Sequence, residues 1–391
     1  MSLSGAIYIG MSGMDAFTDG LQTISDNVAN LNTSGYKELT TNFSDLFDGE
    51  NLDVAGDQPD GNGVAYAPSQ LDFTAGTLQQ TGNALDLAVQ GSGFMVLLNG
   101  SSQVYTQTGS FAVDSNGYLS EEGSQYQLGV LNAQGKAVAL NVGSLQTSPA
   151  AATTTVTFSQ NLSSSATGDT VSDITVYDST GTAHTWQVAL APDSSTTGEW
   201  DVTVTDETGA TVGTGAITFD GTSIDPSASS VTVNTTYAGA NALSVKLDFS
   251  NVTSDSTGTS STLTDSAVDG HGAGSLSTIT VNSSGQVVLG YSNNQTLTEG
   301  SIALASFLNP QQLHEATGGI FTNPSGTGAS LAASGDNGAG TLVSGQIEGS
   351  NVDLTQEFGD LILIQRGYQA SSEVVSMAND MIQYLFGIRG Q

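Results

Sequence analysis

The sequence contains no cysteine, and that one absence removes disulfide frameworks, thiolate metal sites and cysteine nucleophiles together. Basic residues are almost as scarce. Lys37, Lys136, Lys246, Arg366 and Arg389 stand against 38 acidic residues, for a formal charge of −33. A chain so anionic repels phosphate backbones and acidic lipid heads, which argues against nucleic acid as a partner. No apolar run reaches the roughly 18 residues of a membrane span, so membrane insertion is not expected. The opening residues also lack a cleavable secretion signal: the first basic residue is Lys37, and Gly5, Gly10 and Gly13 interrupt the apolar positions. If the chain leaves the cell, a route that reads an uncleaved N-terminus is expected. Histidine is limited to His184, His271 and His314, without ligand spacing, and no phosphate loop, nucleophile elbow or dinucleotide glycine pattern occurs. No catalytic, cofactor or metal site is expected, and the chain reads as a non-enzyme. Charged residues are only 11% of the whole, so Ser, Thr, Asn and Gly carry the surface, and closely packed copies of so negative a subunit would need screening.

What is present is written in two codes, helical at the ends and β in the middle. At the front, Met14, Phe17, Leu21, Ile24, Val28 and Leu31 recur at three- and four-residue steps. At the back, Leu354, Phe358, Leu361, Tyr368, Val375, Ile382 and Phe386 recur on heptad spacing. The patterns predict helices over residues 3–31 and 352–388, and these side chains are the candidate interface between copies in a polymer. A second stripe on the back helix, Val374, Met377, Met381, Leu385 and Ile388, calls for neighbours on both of its sides. Gly5, Gly10, Gly13 and Gly20 each cost about 1 kcal/mol relative to Ala in a helix interior. The front helix alone is therefore expected to fray, and to become helical when a partner supplies apolar contacts.

Between the ends lie short Thr-, Val- and Gly-rich strands. Residues 35–70 read as a connector, with Gly and Pro but little periodicity over 48–70. Phe111 to Leu119 reads as a hairpin turning at Asn116-Gly117. Alternation is clearest at Ile174 and Val176, at Trp186, Val188 and Leu190, at Trp200, Val202 and Val204, and at Val245, Leu247 and Phe249. Ser/Thr-rich stretches near 150 and 260 read as boundaries and flexible joints. The expected class is mainly β with α-helical termini, as nested discontinuous β domains on a coiled-coil-like terminal helix pair. Residues 1–34 and 350–391 supply the helices, 71–149 with 286–349 an inner β domain, and 150–285 an inserted outer one.

Several segments carry a resemblance. Ser25 to Lys37, with Asn27, Asn30, Gly35, Tyr36 and Lys37, resembles the N-terminal signature of the bacterial flagellar rod and hook protein family. Gly345 to Leu354, with Asn351 and Asp353, and then Gln365, Arg366 and Tyr368, resembles its C-terminal signature. Gly76 to Phe94 is similar to a β segment of the family, and Val176 to Trp186 resembles the inserted domain of its hook branch. The resemblance implies a structural subunit of the flagellar hook, a homopolymer whose terminal helices line a flexible tube that carries motor torque to the filament. It also implies distal rod, hook cap and hook–filament junction proteins as partners, the flagellar type III export apparatus as the route out, and an extracellular place in the hook. A distal rod protein is the alternative within the family; a secreted β-rich adhesin or surface-layer protein is the alternative outside it. Arg366 or Arg389 is expected to pair with Asp15, Asp19 or Asp26 of a neighbouring helix.

Overall fold

A computed structural model describes residues 3–45, 63–100, 102–324, 326 and 328–389. The chain forms two compact units: unit 1 is Met1–Gly143, Ile279–Val288 and Thr298–Gln391, and unit 2 is Ser144–Thr278 and Leu289–Leu297. Unit 2 thus interrupts unit 1 twice, the second time by a short excursion that the sequence reading does not anticipate.

In unit 1 the chain opens with α1 (Leu3–Ala29) and closes with α2 (Leu354–Arg389). The Asp353 carboxylate caps α2 by accepting from Thr355 N at 2.8 Å, and Glu357 puts a negative charge in the first turn, where the helix dipole favours one. Among the described residues no helix is long and apolar enough to cross a membrane. The two helices pack antiparallel: Gly10 faces Val375, Gly13 faces Ser371, Phe17 faces Gly367 and Gly20 faces Ile364.

The stretch read as a connector holds regular structure at its described ends, while its residues 46–62 lie outside the described part. Strand β1 (Leu39–Asp45) pairs antiparallel with β2 (Val64–Leu71), from Leu39 opposite Leu71 to Asp45 opposite Val64. The pair lies along α1. Phe43 sits between Phe17 at 5.5 Å and Tyr66 at 6.0 Å between ring centroids, and the Thr23 and Tyr66 hydroxyls are 2.7 Å apart. Phe43 and Tyr66 are cross-strand partners that also meet α1, through Phe17 and Thr23, and so few aromatic contacts leave no alternation for a periodicity reading to find.

The largest part of unit 1 is a 12-stranded sheet whose strands come from both arms of the chain; Thr341–Ser344, for instance, pairs with Asp86–Gln90, and separately Gln346–Glu348 pairs with Leu78–Gln80. Its core gathers Phe94, Val96, Tyr105, Ala303, Ala305 and Phe321, with Phe94 edge-on to Phe73, Phe307 and Phe321. The expected hairpin is present: Val113 lies opposite Leu119, and Gly117 supplies the positive φ of +84° at the turn.

Unit 2 is built mainly on a nine-stranded sheet. Its main strands are β3 (Thr155–Asn161), β4 (Asp169–Tyr177), β5 (Ala183–Pro192), β6 (Glu199–Thr205), β7 (Thr211–Asp220), β8 (Ser230–Thr235), β9 (Leu243–Thr253) and β10 (Thr264–Val268). Strands β4 to β7 form an antiparallel meander, and β3 runs parallel to β9 and antiparallel to β10. The alternating residues face one core, in which Trp186, Val188, Val204, Val245, Leu247 and Phe249 are fully buried. Strands β3 and β10 fall inside the two Ser/Thr-rich stretches read as joints. Those stretches are fastened: Ser163 N donates to Ser261 Oγ at 3.0 Å, and Ala151 N donates to His271 O at 2.9 Å.

Candidate assembly surface and the signature network

The helix pair has an inner and an outer face. On α1 the buried positions are Gly10, Gly13, Ala16, Gly20, Thr23, Ile24 and Asn27, so the inner stripe is built mostly of small residues. A Cβ on Gly10 would meet Val375 Cγ2 at 2.6 Å, one on Gly20 would meet Ile364 Cδ1 at 2.8 Å, and one on Gly367 would meet Phe17 Cζ at 2.3 Å. These glycines lower helix propensity, but they also let the two backbones approach and let larger side chains of the other helix fill the space. That double role reverses the reading of them as a cost alone.

The predicted seam residues divide between the faces. Ile24 is 1% exposed and belongs to the inner packing, so it has no surface to give a second copy. Met14, Phe17, Val28 and Leu31 on the first arm, and Leu361, Val375 and Ile382 on α2, are half-buried. Leu21, Leu354, Phe358, Tyr368 and Phe386 are exposed, with Phe386 at 70%. So are Val374, Met377, Met381, Leu385 and Ile388 of the second stripe, joined by Ile362, Leu363 and Tyr384 that the heptad reading passes over. A face this apolar exceeds what single scattered surface residues explain.

The signature residues do different work. Asn27 Nδ2 donates to Leu39 O at 2.9 Å and to Glu357 Oε1 at 2.7 Å, while its Oδ1 accepts from Leu39 N at 2.9 Å and from the Tyr36 hydroxyl at 3.2 Å. Asn30 Nδ2 bonds back to Asp26 O at 2.9 Å and helps end α1. Gly35 has φ of +72°, and a Cβ there would meet Thr108 Cγ2 at 2.8 Å, so both backbone and space demand glycine. Lys37 Nζ donates to Thr74 O at 3.0 Å and to Glu348 Oε1 at 2.8 Å, and the same carboxylate oxygen accepts from Gly76 N at 2.6 Å. Asn351 accepts from Glu38 N at 2.7 Å and donates to Asp72 O at 2.8 Å. Two buried polar knots therefore tie the end of α1, the start of α2 and the residues just before both to one another.

Electrostatics follow from burial. Desolvation pushes the Glu357 carboxyl above its ordinary range against the pull of Asn27, and burial followed by Glu357 raises Glu38. Burial, then the carboxylates of Glu315, Asp26 and Glu357, holds the Tyr36 phenol far above its usual value, so it stays a donor. Gln365 and Arg366 are exposed, and Arg366 forms no salt bridge with a described residue. The side chain of Arg389 lies outside the described part. Glu348 and Glu357, the acids that close both knots, are not singled out by the sequence reading, although Glu348 lies within the C-terminal signature segment. The one signal for their role is position: Glu348 inside that segment and Glu357 three residues after it.

Three family models match the chain. A flagella basal body rod protein model covers residues 7–37, a flagellar basal body protein FlaE D2 domain model covers 144–298, and a flagellar basal body rod FlgEFG protein C-terminal model covers 343–388. The flagellar hook protein FlgE of Salmonella typhimurium strain LT2 is 31% identical over 417 residues, covering 100% of both chains. The chain belongs to the flagellar hook and rod protein family. Other relatives agree along the whole length: FlgE of Brucella suis is 30% identical over 100% of both chains, and FlgE of Escherichia coli strain K12 is 29% identical over 97% of this chain and 98% of its own. Within the family frame the chain is a β-rich structural protein of the flagellum, concerned with motility. The rod and C-terminal models include most of α1 and of α2, the two signature regions among them, and the D2 model spans all of unit 2.

Proposed function

We propose that the chain is the structural subunit of the flagellar hook, polymerising with copies of itself into a flexible helical tube that transmits motor torque to the filament. The observation that carries this reading is the outer face of α2. Its inner face is already occupied by α1, yet Ile362, Leu363, Met377, Met381, Tyr384, Leu385 and Phe386 remain in water. Covering each such side chain contributes on the order of 1.5 to 3 kcal/mol, enough in sum to hold a polymer against the cost of ordering its subunits. The full-length likeness to hook proteins supports the hook over the shorter rod subunits. On this reading the distal rod, hook cap and hook–filament junction proteins are its neighbours, and the type III export apparatus delivers it to the cell exterior without cleaving a signal. No residue is assigned a catalytic step.

The test is a double substitution on the outer face, Tyr384→Asp with Phe386→Asp. The expected product is a folded monomer with unchanged far-ultraviolet circular dichroism that forms no tubes under electron microscopy. Tubes of normal length would overturn the reading.

A further inference from the structure

Sulfur in this chain is methionine alone, since cysteine is absent, and the six methionines are unevenly placed. Met1, Met11 and Met14 stand at the front of the sequence, Met377 and Met381 lie in α2, and Met95 lies in a strand of the large sheet of unit 1. Unit 2 holds none. Met95 is 0% exposed, and no thiol competes with the others for an oxidant.

Met377 and Met381 are 51% and 52% exposed and lie one helical turn apart, at i and i+4, on the outer face of α2. They occupy the centre of the row Val374, Met377, Met381, Leu385 and Ile388, every member of which is exposed. A thioether is soft and flexible, so the row stays apolar and can adapt its shape to whatever covers it. Oxidation changes that character. A sulfoxide oxygen is a hydrogen-bond acceptor with no hydrogen to give, and the hydrocarbon side chains of Val374, Leu385 and Ile388 offer it no donor. Sealed from water in a contact between copies, it would be an unsatisfied polar group.

We propose that Met377 and Met381 form a paired oxidation site through which a peroxide blocks assembly while the subunit stays folded. Each thioether sulfur takes one oxygen from hydrogen peroxide: an S–O bond forms, the O–O bond breaks and the sulfur gives up an electron pair. The departing hydroxide collects the proton of the transferred oxygen and leaves as water. Hydrogen peroxide is uncharged, so the −33 charge of the chain, which repels anionic oxidants, does not hold it off. The fold is spared because both side chains already stand in water, whereas the core methionine Met95 is shielded. The site follows from exposure; its effect on assembly rests on the outer face of α2 being the contact between copies.

The test treats the full-length monomer with hydrogen peroxide and follows oxygen uptake at each methionine by peptide mass spectrometry. Met377 and Met381 should gain oxygen at least ~10-fold faster than Met95. The treated chain should keep its far-ultraviolet circular dichroism and form at most about one-tenth of the tubes of the untreated chain, and methionine sulfoxide reductases should restore them. Met377→Leu with Met381→Leu, which nearly conserves volume, should assemble with or without peroxide. Met11→Leu, at the exposed methionine of α1, should leave the sensitivity as it is. Oxidation of Met95 as fast as the pair, undiminished tubes from the treated chain, or a double variant that still loses assembly would overturn the proposal. An untreated chain that forms no tubes would overturn the hook reading and the assembly effect with it, while the order of oxidation would still stand for or against the site.

Discussion

Lys37 Nζ stands 2.8 Å from the Glu348 carboxylate, with side chains 1% and 2% exposed and 311 positions apart in the chain. The pair links the last residues before β1 to the approach to α2, so the terminal helices are anchored by a charge pair that water does not reach. Removing one member of such a pair strands the other, at a cost of about 3–5 kcal/mol. Lys37→Met is expected to lower the stability of unit 1 by that amount in urea unfolding. Glu348→Gln, which keeps an acceptor for Gly76 N but leaves Lys37 uncompensated, is expected to come close to it. A loss under about 1 kcal/mol for Lys37→Met would mean that the pair contributes little beyond packing.

Two glycines of α2 should respond in opposite directions to alanine. At Gly359 nothing lies within 4 Å of an added Cβ, so Gly359→Ala is expected to stabilise by up to about 1 kcal/mol through helix propensity. At Gly367 the same Cβ would fall 2.3 Å from Phe17 Cζ, so Gly367→Ala must displace the Phe17 ring. Overpacking costs typically about 1–3 kcal/mol, which outweighs the propensity gain. Thermal denaturation of the two variants side by side decides whether the inner stripe is a tight contact or merely tolerates glycine.

The buried carboxyl of Glu357 makes unit 1 sensitive to pH in a definite sense. Burial raises its carboxyl above the ordinary value of 4.5, so its contribution is fully present below that value and is lost as pH rises through the shifted one. Glu357→Gln keeps an oxygen for Asn27 and removes the charge. It is expected to flatten the decline in stability of unit 1 above pH 4.5, measured by denaturant midpoints. In unit 2 Asp178 acts in the other direction: its hydrogen bonds lower it from 3.8 to about 2, so its contribution is present above 3.8 and disappears as pH falls through about 2.

Removal of residues 150–275 tests what the inserted unit is for. The ends of that segment run close together, where Ala151 N donates to His271 O at 2.9 Å, so a short Gly-Ser linker can close the gap. The shortened subunit is expected to polymerise through its helices and to form tubes of altered curvature or stiffness, visible by electron microscopy. Complete loss of polymer would place assembly contacts in unit 2 as well.

How much was legible in the sequence depended on the range of the contact involved. Alternation over a few residues identified β4, β5, β6 and β9, because a half-buried strand writes its core side at every second position. Strands β3 and β10 were hidden because each has only two apolar residues, Val156 and Phe158 in one and Ala267 and Val268 in the other, among Ser, Thr, Asn, Gln and Asp, too few for an alternation to stand out. The helices were visible from their apolar steps. Which of those steps faced inward was not, since the inner stripe of α1 is marked chiefly by the absence of side chains at Gly10, Gly13 and Gly20.

The sequence by itself determined the chemistry that is missing, the helical ends, the β middle and the two signatures, because composition and short periods are local properties. Tertiary structure alone decided that Lys37 meets Glu348, that Asn27 meets Glu357, that glycine is a contact and that Met95 is sealed from water while Met377 is not. Those facts arise where distant segments exclude water together, and no window of neighbouring residues carries the energy of that exclusion.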